Sequence, residues 1–220
     1  MRNAVVVIAR LALAWLFFTQ LWWKLPPTFG CPADFAIKQE DGKGGYTKSS
    51  GLCSYLGYEA IFANGIGAEG QKTPRKFLVA EPKYLPGSPI QEISVDLTWL
   101  TRLNGDIVKN VIGPNVRTFG YVIWWSEFAI FILLFLGLFT RIGGLIALGV
   151  SAQLTLGLAG VPIPGDYEWE WAYIQIVVLA LLMIGLAPGR ILGLDALIRK
   201  WAAPVAARGN ILAKLAMLVS

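Results

Sequence analysis

The chain has 220 residues, 55% hydrophobic and 15% charged, with a mean hydropathy of +0.57; a soluble domain carries about 25% charged residues, so this composition excludes an ordinary water-soluble globule. Histidine is absent and the only thiols are Cys31 and Cys53, which removes the usual haem, zinc and copper ligands and the four thiolates of an iron–sulfur cluster, so no haem or metal is expected. The net charge of +5 fits nucleic acid, an anionic membrane surface, or the lysines and arginines that orient membrane proteins, and the placement of charges along the chain selects the last.

Residues 4–23, AVVVIARLALAWLFFTQLWW, form an apolar run with Arg10 as its one charge, long enough to cross a hydrocarbon core of roughly 30 Å. Arg2 before such a run also fits a cleaved signal peptide, but the run is too long for an h-region. Lys24-Leu25-Pro26-Pro27 then follows with no small-x-small site.

After Pro26 the composition changes to Gly, Lys, Asp, Tyr and Pro until about residue 117, with basic and acidic residues nearly balanced. This insertion is no nucleic-acid arm. Turn signals are dense at Asp41-Gly42, Gly44-Gly45, Asn64-Gly65 and Pro86-Gly87. Between them Ile90, Ile93, Val95 and Leu97 lean towards a short strand, while Trp99, Leu100, Leu103, Ile107, Val108 and Val111 recur at helical spacing. The pattern predicts a small mixed cap with an amphipathic helix lying on the membrane surface.

Residues 119–139 form a second span with one acid, Glu127, and Thr140-Arg141 makes a tight connection to a third span at about 142–161, rich in Gly143, Gly144, Gly149, Gly157 and Gly160. Such small residues let neighbouring backbones approach closely. A fourth span covers about 169–186 and Pro188-Gly189 ends it. The tail mixes Asp195, Arg199, Lys200, Arg208 and Lys214 with Leu, Ile and Ala, the composition of one or two interfacial amphipathic helices. The expected fold is an all-α membrane protein: transmembrane helix 1 in 1–25, a long extracytoplasmic insertion in 26–117, helices 2–4 of a four-transmembrane-helix bundle in 118–188, and a cytoplasmic interfacial tail in 189–220.

Short segments set orientation. Arg2, Arg141, Arg190, Arg199, Lys200, Arg208 and Lys214 fall on one side of four spans, and the insertion and the acidic Asp166 to Trp171 turn on the other. Both termini are therefore expected in the cytoplasm of a prokaryotic cell, with a multi-pass chain in its cytoplasmic membrane. Trp22, Trp23, Trp124, Trp125, Trp169 and Trp171 fall near the outer span ends, where amphipathic rings favour the headgroup layer. Outside the cytoplasm thiols oxidise, and closing the loop of roughly 20 residues between Cys31 and Cys53 is worth about 3 kcal/mol. A structural disulfide leads over free thiols or a redox pair, since the close C-x-x-C spacing is absent.

Several motifs together resemble the DoxX-like membrane proteins, and among them the DoxD subunit of thiosulfate:quinone oxidoreductase. They are Arg10 to Ala14 with Trp23-Lys24-Leu25, Ser126-Glu127, Leu136-Gly137-Leu138-Phe139-Thr140-Arg141-Ile142-Gly143-Gly144, Glu170 with Tyr173, Gly189-Arg190 and Leu194-Asp195. The resemblance covers the spans and not the insertion. It implies a four-helix membrane bundle that passes electrons from thiosulfate or a similar donor to quinone, together with other membrane-complex subunits.

Charges inside a bilayer are expensive and need a partner or a purpose. An Arg10–Glu127 ion pair is one reading, across depths that differ by about 10 Å at 1.5 Å per residue, with Gln20, Gln153, Gln175, Ser126 and Tyr173 completing a polar interior. The sharper reading is a quinone or proton site with Glu127, Glu170 and Arg10 as its ionisable groups and Tyr173, Trp124, Trp125 and Trp171 as an apolar slot. Arg141 and Arg190 are equally well explained as cytoplasmic anchors. The rival to a quinone-linked oxidoreductase is a non-catalytic structural or assembly subunit of a larger respiratory or photosynthetic membrane complex. A small transporter is weaker, because the spans lack the broken pair of helices expected at a midplane site.

Overall fold

The computed structural model describes residues 2–41, 45–63, 75–80, 93–159, 161–163, 166–167 and 170–220. The described chain is mostly helical: α1 (Arg2–Gln20), α2 (Gly51–Phe62), α3 (Thr98–Ile107), α4 (Val116–Leu136), α5 (Thr140–Leu158), α6 (Glu170–Leu186), α7 (Leu194–Ala207) and α8 (Ile211–Val219), with β1 (Lys76–Ala80), β2 (Ile93–Asp96), β3 (Pro162–Ile163) and β4 (Asp166–Tyr167). Three helical runs, Asn3–Lys24, Thr98–Leu136 and Thr140–Leu158, are long and apolar enough to cross a membrane. This is a multi-pass membrane protein. Ala172–Leu186 is a shorter apolar helix.

The helices belong to two compact units, the first made of Met1–Phe29, Thr118–Ala152 and Ala172–Ser220. Its core draws on four helices: Leu13, Ala14 and Phe17 from α1, Ile130 and Leu134 from α4, Ala147 from α5, and Ala180 and Met183 from α6. Ala14, Ala147 and Ala180 are fully buried, and their small side chains permit the close helix approach expected of membrane packing.

The α4–α5 connection is a knot that only its tertiary partners complete. Gly137 sits at φ +62°, a conformation that favours glycine. Asp195, fully buried, accepts from Phe139 N at 2.6 Å, Thr140 N at 3.0 Å and Thr140 Oγ1 at 2.7 Å. Its own N–H donates to Gly137 O at 2.8 Å. The carboxylate of α7 thus caps the otherwise unpaired N-terminal donors of α5. Replacing Asp195 by Ala leaves these donors buried and unpartnered, an expected loss of about 3 kcal/mol. Thermal unfolding in detergent measures it, and a loss under about 1 kcal/mol in Asp195→Ala would contradict the capping role.

The tail, expected to form one or two helices, forms two, α7 and α8, packed through Ala202, Ala206 and Ala213. Asn210 caps α8 by accepting from Ala213 N at 3.0 Å, the standard way to satisfy a first-turn donor.

The second unit is Gly30–Arg117 with Gln153–Trp171. Cys31 and Cys53 form a disulfide, their Cα atoms 5.3 Å apart. The anticipated strand is β2, antiparallel to β1 with Phe77 opposite Val95; Ile90 is outside the described residues. Asp41 Oδ1 accepts from Gly45 N at 2.9 Å, while Gly42, Gly44, Asn64-Gly65 and Pro86-Gly87 lie outside the described residues.

The anticipated helix is α3, but it has no stop before the second span. It continues through a π turn, Val108–Ile112, and a 3-10 turn, Gly113–Asn115, into α4 as one run of 39 residues. The wide π turn absorbs Pro114, which lacks the N–H of a regular helix. Trp99, Leu103, Ile107 and Val111 form an exposed stripe, while Thr101 and Gly105 are buried; Thr101 Oγ1 donates to Ala63 O at 2.7 Å. The small face packs inward and the large apolar face outward.

Candidate functional site

In the first unit, α1 ends in a 3-10 turn, Trp22–Lys24, which turns the lysine inward. Lys24 Nζ donates to Glu127 Oε1 of α4 at 2.5 Å, and both side chains are buried. Its ammonium is 4.5 Å from the Trp23 ring centre, a cation–π distance. One turn before Glu127, Trp124 donates through Nε1 to Leu21 O at 3.3 Å and stacks on Phe128 with ring centres 5.3 Å apart. Glu127 Oε2 is buried without a hydrogen-bond partner among the described residues. A buried carboxylate oxygen in that state can accept a proton or a donor from a ligand.

The expected Arg10–Glu127 pair does not form. Arg10 donates instead to the main-chain carbonyls of Pro188, at 3.4 Å, and Leu192, in the Asp195 knot. The lysine that closes span one lies nearer the depth of Glu127, whereas Arg10 lies about 20 Å of helix earlier at 1.5 Å per residue. Arg10 therefore positions the α6–α7 connection and takes no part in the Glu127 site.

The aromatic slot also separates. Trp125 precedes Glu127 by two residues, about 200° around the helix, and is 56% exposed where Glu127 is 3%. With Tyr121, Val122, Ser126, Ala129 and Ile146 it lines a shallow groove of about 420 Å³ on the opposite face of α4. Of the two, Trp124 lies one helical turn from Glu127 on the same side of α4. Tyr173 is half-buried near the start of α6; Glu170 begins that helix, and the side chains of Glu170 and Trp171 are outside the described residues. The broader polar interior is not assembled either, because Gln20 accepts from Trp23, Ser126 donates to Val122 O of its own helix, and Gln175 is exposed.

Gln153 has a different role, in the second unit, at a carboxyl the sequence reading passed over. Glu59 of α2 is buried, and its Oε2 accepts from Asn104 Nδ2 of α3 at 3.2 Å and from Gln153 Nε2 of α5. A Cβ on Gly157 would come within 2.5 Å of that carboxyl, so only glycine fits against it. Burial pushes the Glu59 carboxyl up to about 8, against the lowering effect of the two amides. The signal was present: Glu59 is the one charge in Gly51–Phe62.

No family model, curated protein or solved structure matches the chain. Function rests on these residues. Among the described residues no three potential His, Cys, Asp or Glu ligands gather around a metal position.

Proposed function

We propose that the chain is a membrane subunit of a quinone-linked oxidoreductase assembly, DoxD-like, that takes electrons from thiosulfate or a similar external donor. The observation that carries this reading is the buried Lys24–Glu127 pair, with one carboxylate oxygen unpartnered among the described residues and Trp124 one helical turn away on α4. Quinone supplies the redox chemistry when bound, taking up two electrons and two protons. The residues fit such a headgroup: an ammonium donor, a carboxyl with a free acceptor oxygen, and an indole face. Lys24 holds Glu127 in place and balances its charge; Glu127 holds and releases a proton at Oε2.

In this reading α6, with 17 residues and about 26 Å of rise, is the fourth span of a four-helix bundle. Both termini face the cytoplasm of a prokaryotic cell and residues 26–117 are extracytoplasmic. The test is thiosulfate-dependent reduction of a quinone analogue by the purified native assembly. Glu127→Gln is expected to lower its rate by at least about 100-fold, the range of general acid–base assistance. Absence of the activity from the native assembly sinks the proposal.

One observation favours the rival reading, a structural or assembly subunit of a larger respiratory or photosynthetic complex. Arg10, Gly137, Thr140, Gly189 and Asp195, which carry much of the resemblance, are accounted for by packing in the α4–α5 knot. In that case the assembly co-purifies intact and its turnover is unchanged by Glu127→Gln.

A further inference from the structure

Three guanidinium groups meet at the C-terminal end of α8. Arg141, from the first turn of α5, donates through Nη1 to Leu218 O at 2.8 Å. Arg190, from the turn before α7, donates through Nε and Nη2 to Ser220 O at 2.8 and 2.6 Å. Arg199 of α7 donates through Nη1 to Met217 O at 2.8 Å. Each guanidinium offers five N–H donors, and these contacts engage four of the fifteen.

Arg141 Nε is buried with no hydrogen-bond partner among the described residues. Asp195, the acid whose charge reaches Arg190, already accepts three hydrogen bonds from Phe139 and Thr140. Arg141 and Arg199 each repel the charge on Arg190, whose pKa is lowered first by burial and then by these two neighbours. Like charges held this close are relieved by a shared counter-ion, and the planar fork of arginine matches two oxygens of a phosphate at once.

The same helical pair supplies an apolar surface. Leu197 and Trp201 of α7 and Ile211, Leu212 and Leu215 of α8 are all more than half exposed, in a unit that also contains α1, which is long and apolar enough to cross a bilayer. A phosphate with acyl chains satisfies both features, and a soluble anion satisfies only one.

We propose that Arg141, Arg190 and Arg199 form a binding site for the phosphodiester headgroup of an anionic phospholipid, whose acyl chains lie along the exposed apolar face of α7 and α8. The site is independent of the redox reading above. It makes the three arginines a lipid-specific clamp that ties the tail to the helix ends.

The test uses the full chain purified in an uncharged detergent. Addition of phosphatidylglycerol is expected to raise its melting temperature by about 4 °C or more, as a ligand present well above its dissociation constant does, while phosphatidylcholine and inorganic phosphate leave it unchanged. Arg199→Gln and Arg141→Gln, made singly, are each expected to halve the shift or more. An equal response to phosphatidylcholine, a full response to inorganic phosphate alone, or an undiminished shift in both variants overturns the proposal. Should neither variant fold, native mass spectrometry of the wild-type chain extracted from its membrane decides: retained phosphatidylglycerol-class lipid supports the site, and its absence overturns it.

Discussion

Glu59→Gln is expected to remove most of the pH dependence of stability in the second unit and to stabilise the protein in alkaline conditions. The folded-state carboxyl holds its proton up to about pH 8, whereas the ordinary value is 4.5. Between these values the folded state binds more protons than the unfolded state, so each rise in pH favours unfolding. The stability associated with the neutral carboxyl is complete below pH 4.5 and is lost progressively towards pH 8. At about 1.4 kcal/mol per pH unit, the difference reaches about 5 kcal/mol once the window is crossed. Glutamine keeps the shape beside Gly157, and reorientation of the Asn104 and Gln153 amides lets it hydrogen-bond to both. Thermal unfolding of both proteins in detergent at pH 5, 7 and 9 measures the effect. The wild type is expected to lose stability steadily over that range and the variant to lose far less. Parallel curves for the two proteins would show that the folded state does not keep Glu59 neutral.

The second large effect is expected at Lys24 and Glu127, and its sign depends on which partners are removed. Lys24→Met leaves a buried carboxylate with no counter-charge and is expected to destabilise the first unit by about 3–5 kcal/mol. Glu127→Leu strands the ammonium and costs a similar amount. The double replacement removes both desolvation penalties and puts apolar surface in their place, so it is expected to be near neutral in stability. A double-mutant cycle in detergent therefore yields a coupling of several kcal/mol. Additive single effects would mean that the 2.5 Å contact carries no energy. The stable double variant also tests function, because a structural subunit retains its assembly without the pair, while a quinone site depends on it.

Some of this organisation was legible in the chain because it depends on local composition. Apolar runs of transmembrane length mark helices whatever they pack against. The tail reads as amphipathic because charged residues are interspersed among Leu, Ile and Ala. Cys31 and Cys53 have only each other. In contrast, α2 escaped detection because Leu52, Cys53, Leu56, Tyr58, Glu59 and Phe62 are all buried: a helix covered on nearly every side shows no amphipathic period. The extent of α3 was not legible because the change from mixed to apolar composition near residue 117 reads as a boundary, and the π turn that helps carry the helix across it has no sequence signature.

Charge partners were the least legible feature. The residues that needed partners, Arg10 and Glu127, could be named from their cost in a bilayer, but which groups meet depends on depth and on rotation about each helix axis. About 20 Å of depth along α1 separates Arg10 from Lys24, the residue that meets Glu127, and a 200° rotation puts Trp125 on the far side of α4 from Glu127. The burial of Glu59 follows from three segments converging on one carboxyl, among them Gly157 almost a hundred residues away. Sequence alone therefore determined that this protein crosses a membrane, where its long apolar runs lie, and that Arg10 and Glu127 within them are too costly to stand alone. The tertiary structure decided how those charges are matched, because hydropathy is a property of a segment and a charge pair is a property of the packing between segments.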